Sequence, residues 1–351
     1  MSRRVRVLAP LALVGLLVAA CGSSTGSGNS NGVSASKKAN KPFSAVLVVN
    51  GTLGDKGFFD SAARGIGWMH TRLGATTKIL QASPTNPSEW LQNLQAVSNG
   101  RYNLVVTGTS QMTNDMQSVG KAHPKQKYIF FDDIVKLPNV ADIIYKQNEG
   151  SFLAGVLAAE AATDTKDFPL SKGAKKEVGL VGGMNIPVIN DFVVGFKKGV
   201  AYVNPGVKVV VTYPGTFSDP QAGYNQAAAM YQQGAAVVYN VAGATGLGVL
   251  KASKTFKRYS IGVDSNQNGL YPGHVLASMV KHVDISTYDL AKKYQQGTLK
   301  YDKTYIFGLN NDGVGLIIDH SLVPSRIVAK ITKATHDVAT GKVKVPSTLH
   351  Y

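Results

Sequence analysis

The sequence predicts an α/β protein of two doubly wound lobes with a hinge between them, and three observations carry that prediction. Short β-branched runs alternate with helical patterns, the alternating series occurs twice, and the roughly 310 residues past a polar N-terminal stretch exceed what one hydrophobic core usually supports. Strand-like runs fall at 44–50, 77–81, 104–107, 128–131, 140–145, 177–181, 207–213, 236–240 and 259–263. Amphipathic segments at 58–73, 87–99, 150–162, 190–203 and 220–233 lie between most of them. The near-continuous apolar runs 45–49 and 207–211 fit strands buried on both faces, as in parallel sheets covered by helices. The first series runs over 43–163, and the second begins at Glu177 after the polar, Gly/Lys-rich stretch 163–176. A strand at 276–281, a helix near 284–297 and two short strands near 304–318 close the chain. They are too few for a third domain, so the chain is expected to cross back. Lobe 1 is then 43–163 plus about 282–351, and lobe 2 is 164–281. Such a fold puts a ligand in the cleft between the lobes, at the carboxyl ends of the strands.

The first forty residues are of another kind. Arg3, Arg4 and Arg6 precede an apolar run from Val7 to Ala20 that is too short to span a bilayer but suits the apolar region of a signal peptide. The run ends in Val18-Ala19-Ala20-Cys21, which resembles the lipobox of bacterial lipoproteins. The resemblance implies a signal peptide 1–20, cleavage before Cys21, and a diacylglycerol group on the Cys21 sulfur. Residues 21–42 are Ser, Gly, Asn, Ala and Lys with hardly an apolar side chain, the composition of a flexible tether. The body beyond is expected at the extracytoplasmic face of a cell membrane, held by lipid. Cys21 is the one cysteine of the chain, so the body has neither a disulfide nor thiolate chemistry.

The formal net charge is +16, of which Arg3, Arg4 and Arg6 supply three. The lysines are scattered, with short clusters such as 172–176 and Lys292–Lys293, which fits solubility and an anionic envelope rather than nucleic-acid recognition. The seven histidines show no i, i+4 pairing and no carboxylate at metal-ligand spacing, and neither a Gly-x-Ser-x-Gly elbow nor a P-loop lysine is present. No cofactor or metal is expected. Asp132-Asp133 has the look of an acid–base pair, but adjacent residues at a strand end point to opposite faces.

Several segments, taken in order, carry a resemblance. They are Gly54-Asp55-Lys56-Gly57-Phe58, Phe131-Asp132, Glu149-Gly150-Ser151-Phe152-Leu153-Ala154-Gly155, and Gly182-Gly183-Met184 with Phe192 and Gly195-Phe196. Tyr213-Pro214-Gly215-Thr216-Phe217-Ser218-Asp219, Gly262-Val263-Asp264 and Ser278-Met279-Val280-Lys281 follow. In this register the chain resembles the basic membrane protein family, purine-nucleoside-receptor-like lipoproteins that bind substrate for ABC importers. The resemblance implies a type I periplasmic-binding-protein fold, a nucleoside ligand, of the purine class in that family's manner, and a membrane permease as partner.

A nucleoside offers a flat base with polar edges and a ribose with vicinal hydroxyls. Recognition takes aromatic faces, worth about 1–3 kcal/mol per stacked base, and charged groups around the sugar. Phe58 and Phe192 are the matching aromatic positions, one per lobe; read without the resemblance, each is more often a core phenylalanine. Asp132 would face a base edge, and Asp264 with Lys281 would hold ribose hydroxyls by charge-assisted hydrogen bonds. Both aspartates also have the position of helix N-caps, and Asp55 is open between ligand contact and cap. Gly246, in the glycine-rich turn Gly243–Gly248, would let the backbone approach ribose. One departure stands out: where the family usually has Ser-Phe-Asn, this chain has Gly57-Phe58-Phe59, so an amide near the ligand is missing and Phe59 competes with Phe58 as the stacking ring. Asp60, one residue on, is turned away by about 100° of helix. Two other functions share these features, a nucleoside hydrolase using the aspartates and a surface sensor or adhesin on the same fold.

Overall fold

A computed structural model describes residues 42–349. The expected signal peptide, Cys21 and all but the last residue of the tether 21–42 lie outside the described residues. The strands are β1 (Ser44–Val48), β2 (Thr76–Leu80), β3 (Leu104–Gly108), β4 (Lys127–Phe131), β5 (Val140–Tyr145), β6 (Glu177–Gly182), β7 (Lys208–Thr212), β8 (Val237–Val241), β9 (Tyr259–Asp264), β10 (Val275–Lys281), β11 (Lys303–Phe307) and β12 (Val314–Ile318). The helices are α1 (Phe58–Leu73), α2 (Pro87–Val97), α3 (Thr113–Ala122), α4 (Gln147–Thr163), α5 (Pro187–Val203), α6 (Pro220–Gln233), α7 (Gly246–Thr255), α8 (Val283–Gln295) and α9 (Ser325–Ala339).

The strands make two six-stranded sheets, ordered β11-β5-β4-β3-β1-β2 and β12-β10-β9-β8-β6-β7. Every pairing is parallel except β10 with β12. In each half the chain steps outward from its first strand, then returns to build on that strand's other side. The reversal leaves a crevice at the carboxyl ends of β1/β3 and of β6/β8, where doubly wound sheets bind ligands. Strands β3, β5, β6, β8, β9 and β10 are buried along their whole length, so the apolar runs are continuous rather than alternating.

Two expectations about the lobes need correction. Helix α4, expected with lobe 1 as an amphipathic helix, packs on β10, β12 and β8 of the second sheet and against α5 and α9. It is buried on nearly every side, because its Ala, Leu, Val, Phe and Gly residues leave no polar face to turn to water. The closing segment 282–351, expected whole in lobe 1, divides: α8 packs on α1 and β4 and β11 extends the first sheet, whereas β12 joins the second sheet and α9 lies on α4. The chain thus crosses between lobes at Lys146, at His282 and over 308–313.

Helices α4 and α5 meet at backbone distance through glycines. A methyl group at Gly199 would sit 2.0 Å from the Phe152 carbonyl oxygen, and one at Gly155 would sit 2.2 Å from that of Phe196. Only the missing side chains permit this approach.

Candidate functional site

A cavity of about 260 Å³ lies between the two sheets, lined by strand ends and by the loops and first helical turns that follow them. From the first lobe come Asn50 after β1, Thr109 and Gln111 after β3, and Asp132 after β4, with Asp55 from the loop into α1 and Phe58 and Phe59 from its first turn. Met184, Ile189 and Phe192 (after β6), Phe217 (after β7), Ala244 (after β8), Asp264 and Lys281 face them from the second lobe.

The backbone is bent at the charged positions. Asp132 and Asp264 each terminate a central strand with φ of +73° and +64°, and Thr109 does the same with φ of +86°. The left-handed region disfavours residues with a Cβ, so these strand ends spend conformational energy to aim their side chains into the cleft.

Lys281 is the centre of the site. It is 2% exposed, and its ammonium donates to Asp132 Oδ1 across the lobes. The rings of Tyr145, Phe58 and Phe192 stand 5.0, 5.2 and 5.4 Å from Nζ. A cation enclosed by a carboxylate and three ring faces is held by charge and by the rings' quadrupoles together. In this ligand-free site the hydrogen bond of Lys281, expected with Asp264 to meet ribose hydroxyls, goes to Asp132. Asp264 is also buried, and no hydrogen bond to its carboxylate is formed among the described residues. Burial pushes Asp264 up to about 7, with Lys281 opposing and the Asp55 and Asp132 charges adding to the rise. Burial likewise raises Asp132 against the pull of Lys281. Two carboxylates, Asp132 and Asp264, beside one ammonium leave the cleft short of positive charge and of donors. A ligand rich in hydroxyl or N–H donors would supply them.

Asp55 resolves toward the cap. Its carboxylate accepts the N–H groups of Gly57 (3.0 Å), Phe59 (2.9 Å) and Asp60 (3.1 Å), satisfying the start of α1 while one side still borders the cavity. Asp60 turns back to accept from Gly54 and Lys56, so it does not stand in for the missing amide. Asp133 accepts from Thr113 and from Ile134, a different direction from Asp132. Gly246 does not line the cavity. It opens α7, and a methyl there would sit 1.6 Å from Asn240 Oδ1, so its role is close packing; Gly243 and Ala244 are the residues of that turn at the cleft.

Sequence reasoning missed Phe217, although it stands in a segment singled out above. Its signal was position: it follows β7 by a few residues, as Phe58 follows β1. It also missed Tyr145, read only as strand, and the amide group of Asn50 and Gln111 at the rim. Asn50 Nδ2 donates to Gln111 Oε1 (3.3 Å), and Thr109 donates to Asn50 Oδ1 (3.3 Å). Among the described residues no group of three or more His, Cys, Asp or Glu is placed to hold a metal. None of the described helices is long and apolar enough to cross a membrane.

Comparison with known proteins adds the following. Residues 43–348 match the family model described as "ABC transporter substrate-binding protein PnrA-like". Basic membrane protein D of Borreliella burgdorferi (strain JD1) is 31% identical, over 95% of this chain and 93% of that protein. The ABC transporter nucleoside-binding protein BmpA of Lactococcus lactis subsp. cremoris (strain MG1363) is 30% identical, over 99% of this chain and all of that protein. Among solved structures, an ABC transporter system solute-binding protein from Aeropyrum pernix K1 superposes with a TM-score of 0.78 at 26% identity, covering 87% of this chain and 94% of that one.

Proposed function

This chain belongs to the PnrA-like family of ABC transporter substrate-binding proteins, and from that membership we propose that its cleft captures a nucleoside and delivers it to a membrane permease. The observation that carries the ligand class is the composition of the cavity. Phe58 and Phe59 from one lobe and Phe192 and Phe217 from the other supply flat apolar faces, while Asp132, Asp264 and Lys281 supply a charged end. A base stacks on the rings and a ribose presents its hydroxyls to the carboxylates, with Asp264, which accepts no hydrogen bond among the described residues, the first to accept. Calorimetry of the purified protein against a panel of purine and pyrimidine nucleosides tests this, and no heat with any of them sinks the nucleoside reading. Incubation with inosine or adenosine followed by chromatography separates carrier from hydrolase, since release of free base would overturn the carrier reading.

The body works at a membrane in this proposal because Cys21 carries lipid and residues 21–42 act as a tether. Holding the binding protein within reach of the permease raises its local concentration there. Replacement Cys21→Ser should move the protein from the membrane fraction to the soluble fraction; unchanged fractionation would remove the anchor.

A further inference from the structure

We propose that residues 345–349 are a strap that fixes the first turn of α5, and with it the ring of Phe192, in the position a ligand requires, with Asp191 as the positioning residue. The proposal rests on the reading of the cleft as the ligand site.

Four observations converge on it. Asp191 is fully buried beside Phe192, yet no cation pairs with it among the described residues; the strap and the hinge satisfy it instead. Ser347 Oγ donates to its Oδ1 at 2.7 Å and the Thr348 N–H at 2.9 Å, while Gln147 Nε2 donates to its Oδ2 at 2.9 Å. The turn itself has no side-chain cap at Ile186, so it lacks the local device that usually fixes a helix start. Thr348 Oγ1 supplies a hold from outside by donating to the Pro187 carbonyl at 3.0 Å. The strap is also tied to the crossover at Lys146: Asn148 Nδ2 donates to the carbonyls of Val345 (3.2 Å) and Pro346 (3.0 Å). Finally, Leu349 borders a small cavity of about 140 Å³ that Asp132, Asp133 and Ile134 of the first lobe share with Pro187 and Val188 of the second.

One short segment therefore joins the hinge, the start of α5 and the back of Asp132. The turn it pins carries Val188, Ile189 and Phe192 into the main cavity, and the Phe192 ring is one of three around Lys281. A carboxylate buried without a cation persists only while its hydrogen bonds do. Losing the strap frees the turn, and the ring moves with it.

The test compares the full chain with a version ending at Lys344, with Ser347→Ala, and with Ser347→Thr, which keeps the hydroxyl. Amide exchange over 187–193 is expected to quicken in the truncation and in Ser347→Ala, and to return in Ser347→Thr. Nucleoside affinity should fall roughly three- to thirtyfold in the truncation, mainly through faster dissociation. Unchanged exchange over 187–193 overturns the strap, and faster exchange with unchanged affinity and dissociation rate overturns its positioning role. Should the truncation fail to fold, Ser347→Ala carries the same two readouts. A full chain that binds no nucleoside refutes the ligand assignment separately, and exchange over 187–193 then decides the strap.

Discussion

Lys281→Met removes the ammonium at the centre of the cleft while keeping a long apolar side chain among Tyr145, Phe58 and Phe192. What remains is Asp132, its side chain about nine-tenths buried and stripped of its hydrogen-bonded cation, near Asp264. Removing one partner of a buried ion pair costs about 3–5 kcal/mol. A body of roughly 310 residues unfolds with an entropy near 0.65 kcal/mol/K, so the melting temperature of the ligand-free protein should fall by about 5–8 °C. The loss depends on pH, and its sign follows from the carboxyl groups. Burial already raises Asp132 and Asp264, and without Lys281 both rise further. A carboxyl raised in the folded state holds a proton there that the unfolded chain releases, so stability falls as pH rises above the unfolded value near 4. The deficit of Lys281→Met should accordingly be small at pH 5 and full at pH 8. Adding Asp132→Asn, which removes the stranded charge, should recover most of it at pH 8. Thermal unfolding by circular dichroism at the two pH values measures all three proteins. A deficit independent of pH, or no recovery in the double variant, would refute the electrostatic account of this site.

The other predictions concern the ligand and the core. Because Asp264 is pushed up to about 7, the ionised form thins out below neutrality. The dissociation constant should therefore rise by up to about tenfold from pH 8 to pH 6, and Asp264→Asn should flatten the profile in calorimetry; identical profiles would take Asp264 out of the site. Phe217→Ala should cost about 1–3 kcal/mol of affinity, roughly 5- to 150-fold in Kd, and an unchanged Kd would show that the ring stacks on nothing. Gly199→Ala should lower the melting temperature, at a cost of about 1–3 kcal/mol, by forcing α4 and α5 apart. Gly67→Ala, exposed in α1 with open space around it, should instead stabilise by about 0.5–1 kcal/mol, and the opposite order of the two would contradict the packing argument.

The strands were legible because their apolar runs are short, β-branched and bounded by turn residues. The expected run at 140–145 is β5 to the residue, and 77–81 is offset by one from β2. Helix α4 was misread because its small apolar residues give an amphipathic-looking stretch when scanned alone, and only a neighbour on every side explains them. In the site, Asp55, Phe58, Asp132, Phe192, Asp264 and Lys281 all border one cavity, while Gly246 packs on Asn240. Strand ends can be counted along a chain, which placed the aspartates and Lys281 there, but it was the family resemblance that singled them out as ligand contacts. Phe217 and Asn50 reach the cavity by the path of their loops, which periodicity does not report.

By itself the sequence determined the elements, their repetition in two series, the lipobox-like start and the residues that stand at strand ends. Those are local or periodic properties, written within a window of a few turns. The tertiary structure alone decided which strand ends face each other: that Lys281 of the second lobe pairs with Asp132 of the first rather than with Asp264, that Asp55 is spent on the start of α1, and that the C-terminal segment reaches Asp191. Each of these joins groups far apart in the chain, and their partners are set by strand order and by where the chain crosses between lobes. Neither leaves a trace in the spacing of residues along the sequence.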